Sequence, residues 1–370
     1  MGWEATYLLT LGTAHYLMSG HFNMTGWVWL AGTRTPEVLG MHLSWERSPK
    51  DGNSAPQSHP EAKHYTDVKQ LLTDPEVHVV VITTPPDSHF ELTKSALEAG
   101  KHVLAEKPFV PTSAEAEKLI AIAKEQQRLV CVYQNRRWDS DFLLVKHLVS
   151  NGMLGRVLEF FTHFARYRAT APTNWKAELG IASGGSALFD LGTHLIDQIY
   201  VLFGMPQAVH GRLLSQRTGK ADFVNPDAVS AEFTYPDGKL VNIRISALSA
   251  ERPQPRFWVR GHKGSFHKFG LDPQEDQLKA GMKPTEAGFG RDQPENMRLF
   301  LVGDDSEIIQ QQVPELEPET YQTFYAAFAR ALDGGKEELV PVKPTEARDV
   351  LRLVEAVVES AKTGRDVTLT

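Results

Sequence analysis

Residues 77–83 read Val-His-Val-Val-Val-Ile-Thr, a β-branched run broken only by His78 and stopped by Pro85 and Pro86. A strand with no apolar–polar alternation must be covered on both faces. Helices packed on both sides of a parallel sheet provide that cover. The flanking sequence fits the same pattern. Helix-like segments are expected over 67–73, 87–99 and from 112 to 126, where Thr112 and Glu115 have capping-box spacing. Strands are expected over 5–11, 38–45, 101–105 and 128–133. Strand–helix repetition at this spacing reads as an α/β, Rossmann-like first domain over 1–136, with an atypical first βα unit in 1–37.

The pattern then changes. Strand-like segments over 156–168, 228–235, 239–247, 257–260 and 265–269 include a pair joined by Pro236-Asp237-Gly238, a turn tripeptide. These predict an α+β second domain over 137–370 with a large, mostly antiparallel open sheet. A helix is expected over 190–203 and two more over 319–332 and 345–363. Residues 271–296 read as a long polar loop.

Composition excludes several functions. The formal net charge is −7, which lacks the broad basic surface of nucleic-acid binding. No stretch is long and apolar enough for a membrane span. The single cysteine, Cys131, lies in an apolar run and reads as a buried hydrophobe. It fits a reducing compartment, and a cytoplasmic location is expected.

Ligands of open α/β sheets bind at the carboxyl ends of the strands. That edge would carry Thr83, Thr84 and Pro85 after one strand and Glu106 and Lys107 after the next. A lysine there is a cation and hydrogen-bond donor for a ligand, or else a plain surface lysine before a proline turn. Asp190 and His194 are four apart on an expected helix, hence on one face. Histidine titrates near neutral pH and can take a hydroxyl proton, with Asp190 orienting it. A helix-face hydrogen bond is the plainer alternative. A metal held by Asp190, His194 and Asp197 is the least favoured, and no metal is assigned.

These blocks resemble the Gfo/Idh/MocA (glucose-fructose oxidoreductase, inositol dehydrogenase, rhizopine catabolism) family. The resemblance runs through Val79 to Pro85, Ser88-His89, Ala96 to Pro108, Gln134 to Asp139, Gly152 to Val157 and Gly185 to Asp197, in the family's order. It implies hydride transfer between a nicotinamide and a secondary alcohol or ketone of a sugar, polyol or related molecule. It also implies that Lys107 sits near the nicotinamide, that His194 transfers the proton with Asp190 as its companion, and that the second sheet makes a homodimer. His89, Asn135 and Arg137 are cofactor-side candidates by motif position. Trp138 and Trp175 are possible ring-stacking walls or plain core.

Glu46, Arg47 and Ser48 follow the second expected strand. An acidic residue there suits the ribose diol of NAD, while an arginine nearby suits the 2′-phosphate of NADP. Arg47 with Ser48 tips the expectation towards NADP.

The glycine-rich turn departs from the family. Gly12 stands where two or three glycines belong, followed by Thr13, Ala14 and His15. In one reading Gly12 and Thr13 still offer backbone N–H groups to pyrophosphate. In the other, the unit has drifted and His15 and Tyr16 crowd the phosphate path. The chain is then a non-redox descendant, either a cofactor-free enzyme or a ligand-sensing regulatory partner. Retained binding is the reading carried forward.

Overall fold

The computed structural model describes residues 27–31, 41–46, 63–173 and 178–369. The chain divides into two compact units. The first lies within Met1–Asn135, Glu275–Ala287 and Thr320–Arg348. The second comprises Arg136–Gln274, Gly288–Glu319 and Asp349–Thr370.

The first unit is built on strands β1 (Trp27–Ala31), β2 (Met41–Glu46), β3 (Lys63–Tyr65), β4 (Val79–Ile82), β5 (His102–Ala105) and β6 (Val130–Val132). Between them come helices α1 (Val68–Thr73), α2 (His89–Glu98) and α3 (Ser113–Glu125). All four residues of β4 are buried, as its lack of alternation requires. The capping box forms as expected. Glu115 N–H donates to Thr112 Oγ1 at 3.2 Å and Thr112 N–H to Glu115 Oε2 at 3.1 Å.

The spatial order β3-β2-β1-β4-β5-β6 is that of a dinucleotide fold. The pairs β2–β3, β4–β5 and β5–β6 are parallel. Strand β1 is the exception, antiparallel to both neighbours, with Val28 opposite Ile82 and Ala31 opposite Val79. The other five strands therefore point their carboxyl ends to one edge, and β1 points its own to the other. The expected strand over 5–11 lies outside the described residues. The strand at the central position is instead Trp27–Ala31, whose signal the low-charge aromatic segment concealed.

The second unit begins with α4 (Ser140–Ser150) and β7 (Val157–Ala165), followed by a π-helical turn, Leu188–Gly192, that runs into α5 (Thr193–Phe203). Strands β8 (Ala208–Ser215), β9 (Lys220–Ala221), β10 (Ala228–Thr234), β11 (Leu240–Ser246), β12 (Pro255–Gly261) and β13 (Gly264–Phe269) follow. After α6 (Gln274–Lys279), which from Glu275 on belongs to the first unit, come β14 (Met297–Val302) and β15 (Ile308–Gln311). The chain closes with α7 (Tyr321–Gly334), α8 (Pro344–Thr363) and β16 (Val367–Thr368). The ten-stranded sheet runs β15-β14-β13-β12-β7-β11-β10-β8-β16, with β9 on β8. Only β7–β11 is parallel. The β10–β11 turn uses Gly238 at φ +80°, a conformation side chains resist. Helix α8 lies directly on β8 at Gly211, where a Cβ would collide with the carbonyl of Val357, and Ser360 Oγ accepts from Gly211 N–H at 2.9 Å.

The sequence also left strands β3, β8, β14 and β15 unexpected, and other details differ. Residues 271–296, read as loop, contain α6 and a short 3₁₀ turn. Helix α7, assigned by sequence to the second domain, returns to the first unit. There Phe324 and Tyr325 pack on Tyr133 with ring centroids 5.0 and 5.5 Å away.

Candidate active site

In the first unit, β4 delivers Thr83 and Thr84 to its carboxyl end, both buried. Ser88 Oγ donates to Pro85 O at 2.8 Å and lies 2.7 Å from Thr84 Oγ1, which fixes the turn after the strand. His89 is 1% exposed. Its Nε2 lies 2.7 Å from Thr84 O and its Nδ1 2.8 Å from Pro108 O. Burial pushes the imidazole below its usual range, against the pull of the carbonyls of Thr84, Pro108 and Phe109. With both ring nitrogens on backbone oxygens, His89 staples the turn after β4 to the segment after β5. In the first unit it acts as a positioning residue.

Glu106 continues β5, its N–H bonded to Ile82 O at 2.9 Å. Its Oε2 accepts from Lys107 N–H at 2.8 Å. Lys107 is half-buried and precedes a cis peptide to Pro108. Asn135 is half-buried just past β6. Glu46, the last residue of β2, stands at the same edge by register. Gly12, Thr13, Arg47, Ser48 and Trp175 lie outside the described residues.

In the second unit, Asp190 is half-buried on the π-helical turn and His194 is 5% exposed in the first turn of α5. π-Turns inside helices recur at functional sites. Thr193 Oγ1 donates to Phe189 O at 2.7 Å across the junction. Arg137 grips Asp197 with two bonds, Nε to Oδ2 at 2.8 Å and Nη2 to Oδ1 at 2.7 Å. A carboxylate held bidentately by a guanidinium is already charge-compensated. Asp197 therefore anchors the helix that carries His194. Arg137 is correspondingly an anchor of that helix. Trp138 is half-buried, and its carbonyl accepts from Gln274 Nε2 at 2.9 Å.

Beneath this helix lies a network that sequence reasoning missed. Arg256 on β12 is 1% exposed. Its Nε lies 3.1 Å from Asp141 Oδ2 on α4, its Nη1 2.8 Å from Thr162 Oγ1 on β7 and its Nη2 2.9 Å from Gln198 Oε1 on α5. Gln198 Nε2 in turn donates to Arg136 O at 2.8 Å. The guanidinium also lies 4.0 Å from the ring centroid of Phe257 and 4.8 Å from that of Phe164. Burial pushes the neighbouring Asp139 and Asp272 carboxyls up, Asp272 to about 6. No sequence signal marked Arg256, because its partners are 58 to 115 residues away.

A nicotinamide cofactor can be tested against these elements. The carboxyl ends of β4 and β5, with Thr84 and Lys107, offer backbone and side-chain donors where such a ligand binds. The phosphate cradle of a dinucleotide fold follows the carboxyl end of the central strand. In this chain that end, Ala31, lies at the opposite edge, beside Val79. The described residues thus fit the nicotinamide side, and β1 does not supply the pyrophosphate turn.

Comparison with known proteins decides the family. The model of the oxidoreductase family's NAD-binding Rossmann fold matches residues 44–134, and that of the oxidoreductase family's C-terminal alpha/beta domain matches 146–369. The chain is a Gfo/Idh/MocA oxidoreductase. An uncharacterized oxidoreductase of Schizosaccharomyces pombe is 37% identical over 86% of this chain and 88% of its own length. A scyllo-inositol 2-dehydrogenase (NADP(+)) of Bacillus subtilis is 36% identical, covering 84% of each chain. The crystal structure of an oxidoreductase from Bacillus cereus superposes with a TM-score of 0.75 at 31% identity, over 88% of this chain and 90% of that one. As in this Gfo/Idh/MocA chain's sequence reading, the fold is α/β with a mostly antiparallel second sheet. Among the described residues no helix is long and apolar enough to cross a membrane.

Proposed function

We propose that this chain is an NAD(P)-dependent oxidoreductase acting on a secondary alcohol or ketone of a sugar, polyol or related small molecule. The observation that carries the reading is the Asp190/His194 pair on one continuous helical run, fixed by Arg137–Asp197 and by the Arg256 network. A bound nicotinamide supplies the hydride acceptor or donor. His194 takes the proton of the substrate hydroxyl in oxidation and returns it in reduction. Asp190 orients the imidazole. Lys107 donates to the reacting oxygen and stabilises its developing charge. Arg47 with Ser48, and the NADP(+) in the name of the Bacillus subtilis relative, favour NADP. The expected location is cytoplasmic.

A homodimer through the second sheet belongs to the same reading. Its support is the outward face of that sheet, where Trp258, 38% exposed, stacks on Phe161 with centroids 5.3 Å apart. Light scattering of the purified chain tests it.

His194→Ala and Lys107→Ala test the chemistry. Loss of a positioned proton-transfer group lowers turnover by about 10²- to 10⁴-fold. Folded variants with undiminished turnover would reject these roles.

The antiparallel β1 favours a second reading, a non-redox descendant that is a cofactor-free enzyme or a ligand-sensing partner. Calorimetric titration with NADPH and NADH separates the two. Micromolar binding of either supports the oxidoreductase and names its cofactor. Absence of binding by folded, ligand-free protein selects the second.

A further inference from the structure

Ser186 begins the helical run that carries Asp190 and His194, four and eight residues before them. Its backbone stands at φ +80°, one of three non-glycine residues with positive φ among the described residues. L-residues avoid this region, and glycine takes it without penalty. The two preceding residues are Gly184 and Gly185, so the chain can place glycine in this turn.

The side chain compounds the oddity. Ser186 is 8% exposed, and its Oγ has no hydrogen-bond partner among the described residues. A serine at a helix start ordinarily caps it by accepting from a backbone N–H two or three residues on. This one does not. The backbone around it is held by other means: Gly185 N–H bonds Gly180 O at 2.9 Å and Ala187 N–H bonds Pro226 O at 3.2 Å. Strained backbone and an unsatisfied buried hydroxyl both oppose folding, and native proteins keep such features chiefly where function uses them. Glycine would relieve both at once.

The geometry points to Ser186 Oγ as a substrate-binding group, contributing a hydrogen bond to a ring hydroxyl of a cyclitol or sugar. The inference rests on the reading that Asp190 and His194 serve the reacting carbinol. A serine hydroxyl both donates and accepts, which matches a substrate hydroxyl in either orientation. It therefore selects polyhydroxylated substrates over simple secondary alcohols.

The test compares wild type with Ser186→Gly and Ser186→Ala in the full chain. Thermal stability is measured without ligand, and scyllo-inositol binding by calorimetry with and without NADP⁺. Ser186→Gly is expected to melt about 2–4 °C higher, since strain and the orphan hydroxyl both go. Ser186→Ala removes only the hydroxyl and gains less. Both variants are expected to bind scyllo-inositol about tenfold more weakly, the loss of one hydrogen bond. Unchanged affinity in both variants overturns the assignment. A lowered melting point in Ser186→Gly also overturns it, because the hydroxyl would then be structural. No binding by wild type removes the polyol class and the inference with it. His194→Ala is the control for the underlying reading. Turnover surviving in that variant rejects the catalytic role of His194, while weaker scyllo-inositol binding by the Ser186 variants stands as a separate result.

Discussion

Removing the Arg256 guanidinium tests whether the buried network beneath the candidate site holds the second unit together. Arg256→Ala breaks the pair with Asp141 and the bonds to Thr162 and Gln198. Asp141 is fully buried, so its carboxylate would lose its cation with no water to replace it. Breaking a buried pair on one side costs about 3–5 kcal/mol. For a unit of this size that is a melting-point drop of about 6–20 °C. Removing both charges with an apolar pair, Asp141→Leu with Arg256→Met, leaves no unpaired charge, although Thr162 Oγ1 and Gln198 Oε1 still lose their donor, and should recover part of the loss. Urea unfolding followed by near-UV circular dichroism measures all of this. A loss under about 1 kcal/mol in Arg256→Ala, or a double variant as unstable as the single one, would refute the reasoning.

Two further predictions concern stability. The Asp272 carboxyl titrates near 6 in the folded chain because burial, and then the Asp141 charge, disfavour its ionised form. The folded state binds that proton more tightly than the unfolded chain, so stability falls as pH rises from about 4 to 6, by up to about 3 kcal/mol. The four hydrogen bonds Asp272 accepts from Ser140 and Gln274 oppose this. Asp272→Asn should flatten that part of the pH profile, and parallel profiles for wild type and variant would contradict the assignment. Thr112→Ala removes the reciprocal cap of α3 and should lower stability by about 1 kcal/mol in chemical denaturation, with turnover unchanged.

How far the sequence could be read depended on the range of the interaction behind each feature. The strand at 79–82, the capping box at Thr112 and the Asp237-Gly238 turn are specified by residues a few positions apart, and each formed where expected. The positions of Asp190 and His194 followed from their spacing, although a π-turn replaces the first turn of the expected helix. Strands β14 and β15 were not expected from the sequence, because exposed residues blur the alternation of an edge. The backbone partners of His89 and the ion pair of Arg137 became visible only in the tertiary structure. A histidine in a motif looks the same whether its nitrogens face a ligand or two backbone carbonyls.

The sequence alone determined the two-part organisation, the parallel core of the first sheet and the family, since local patterns and ordered motifs encode them. Tertiary structure alone decided the direction of β1, the return of α7 to the first unit and the burial of Arg256 among Asp141, Thr162 and Gln198. It also decided that Ser186 is strained and its hydroxyl unsatisfied. Each of these depends on which distant segments meet, and burial turns a charge, a hydroxyl or a strand direction into a free-energy term only once they have met.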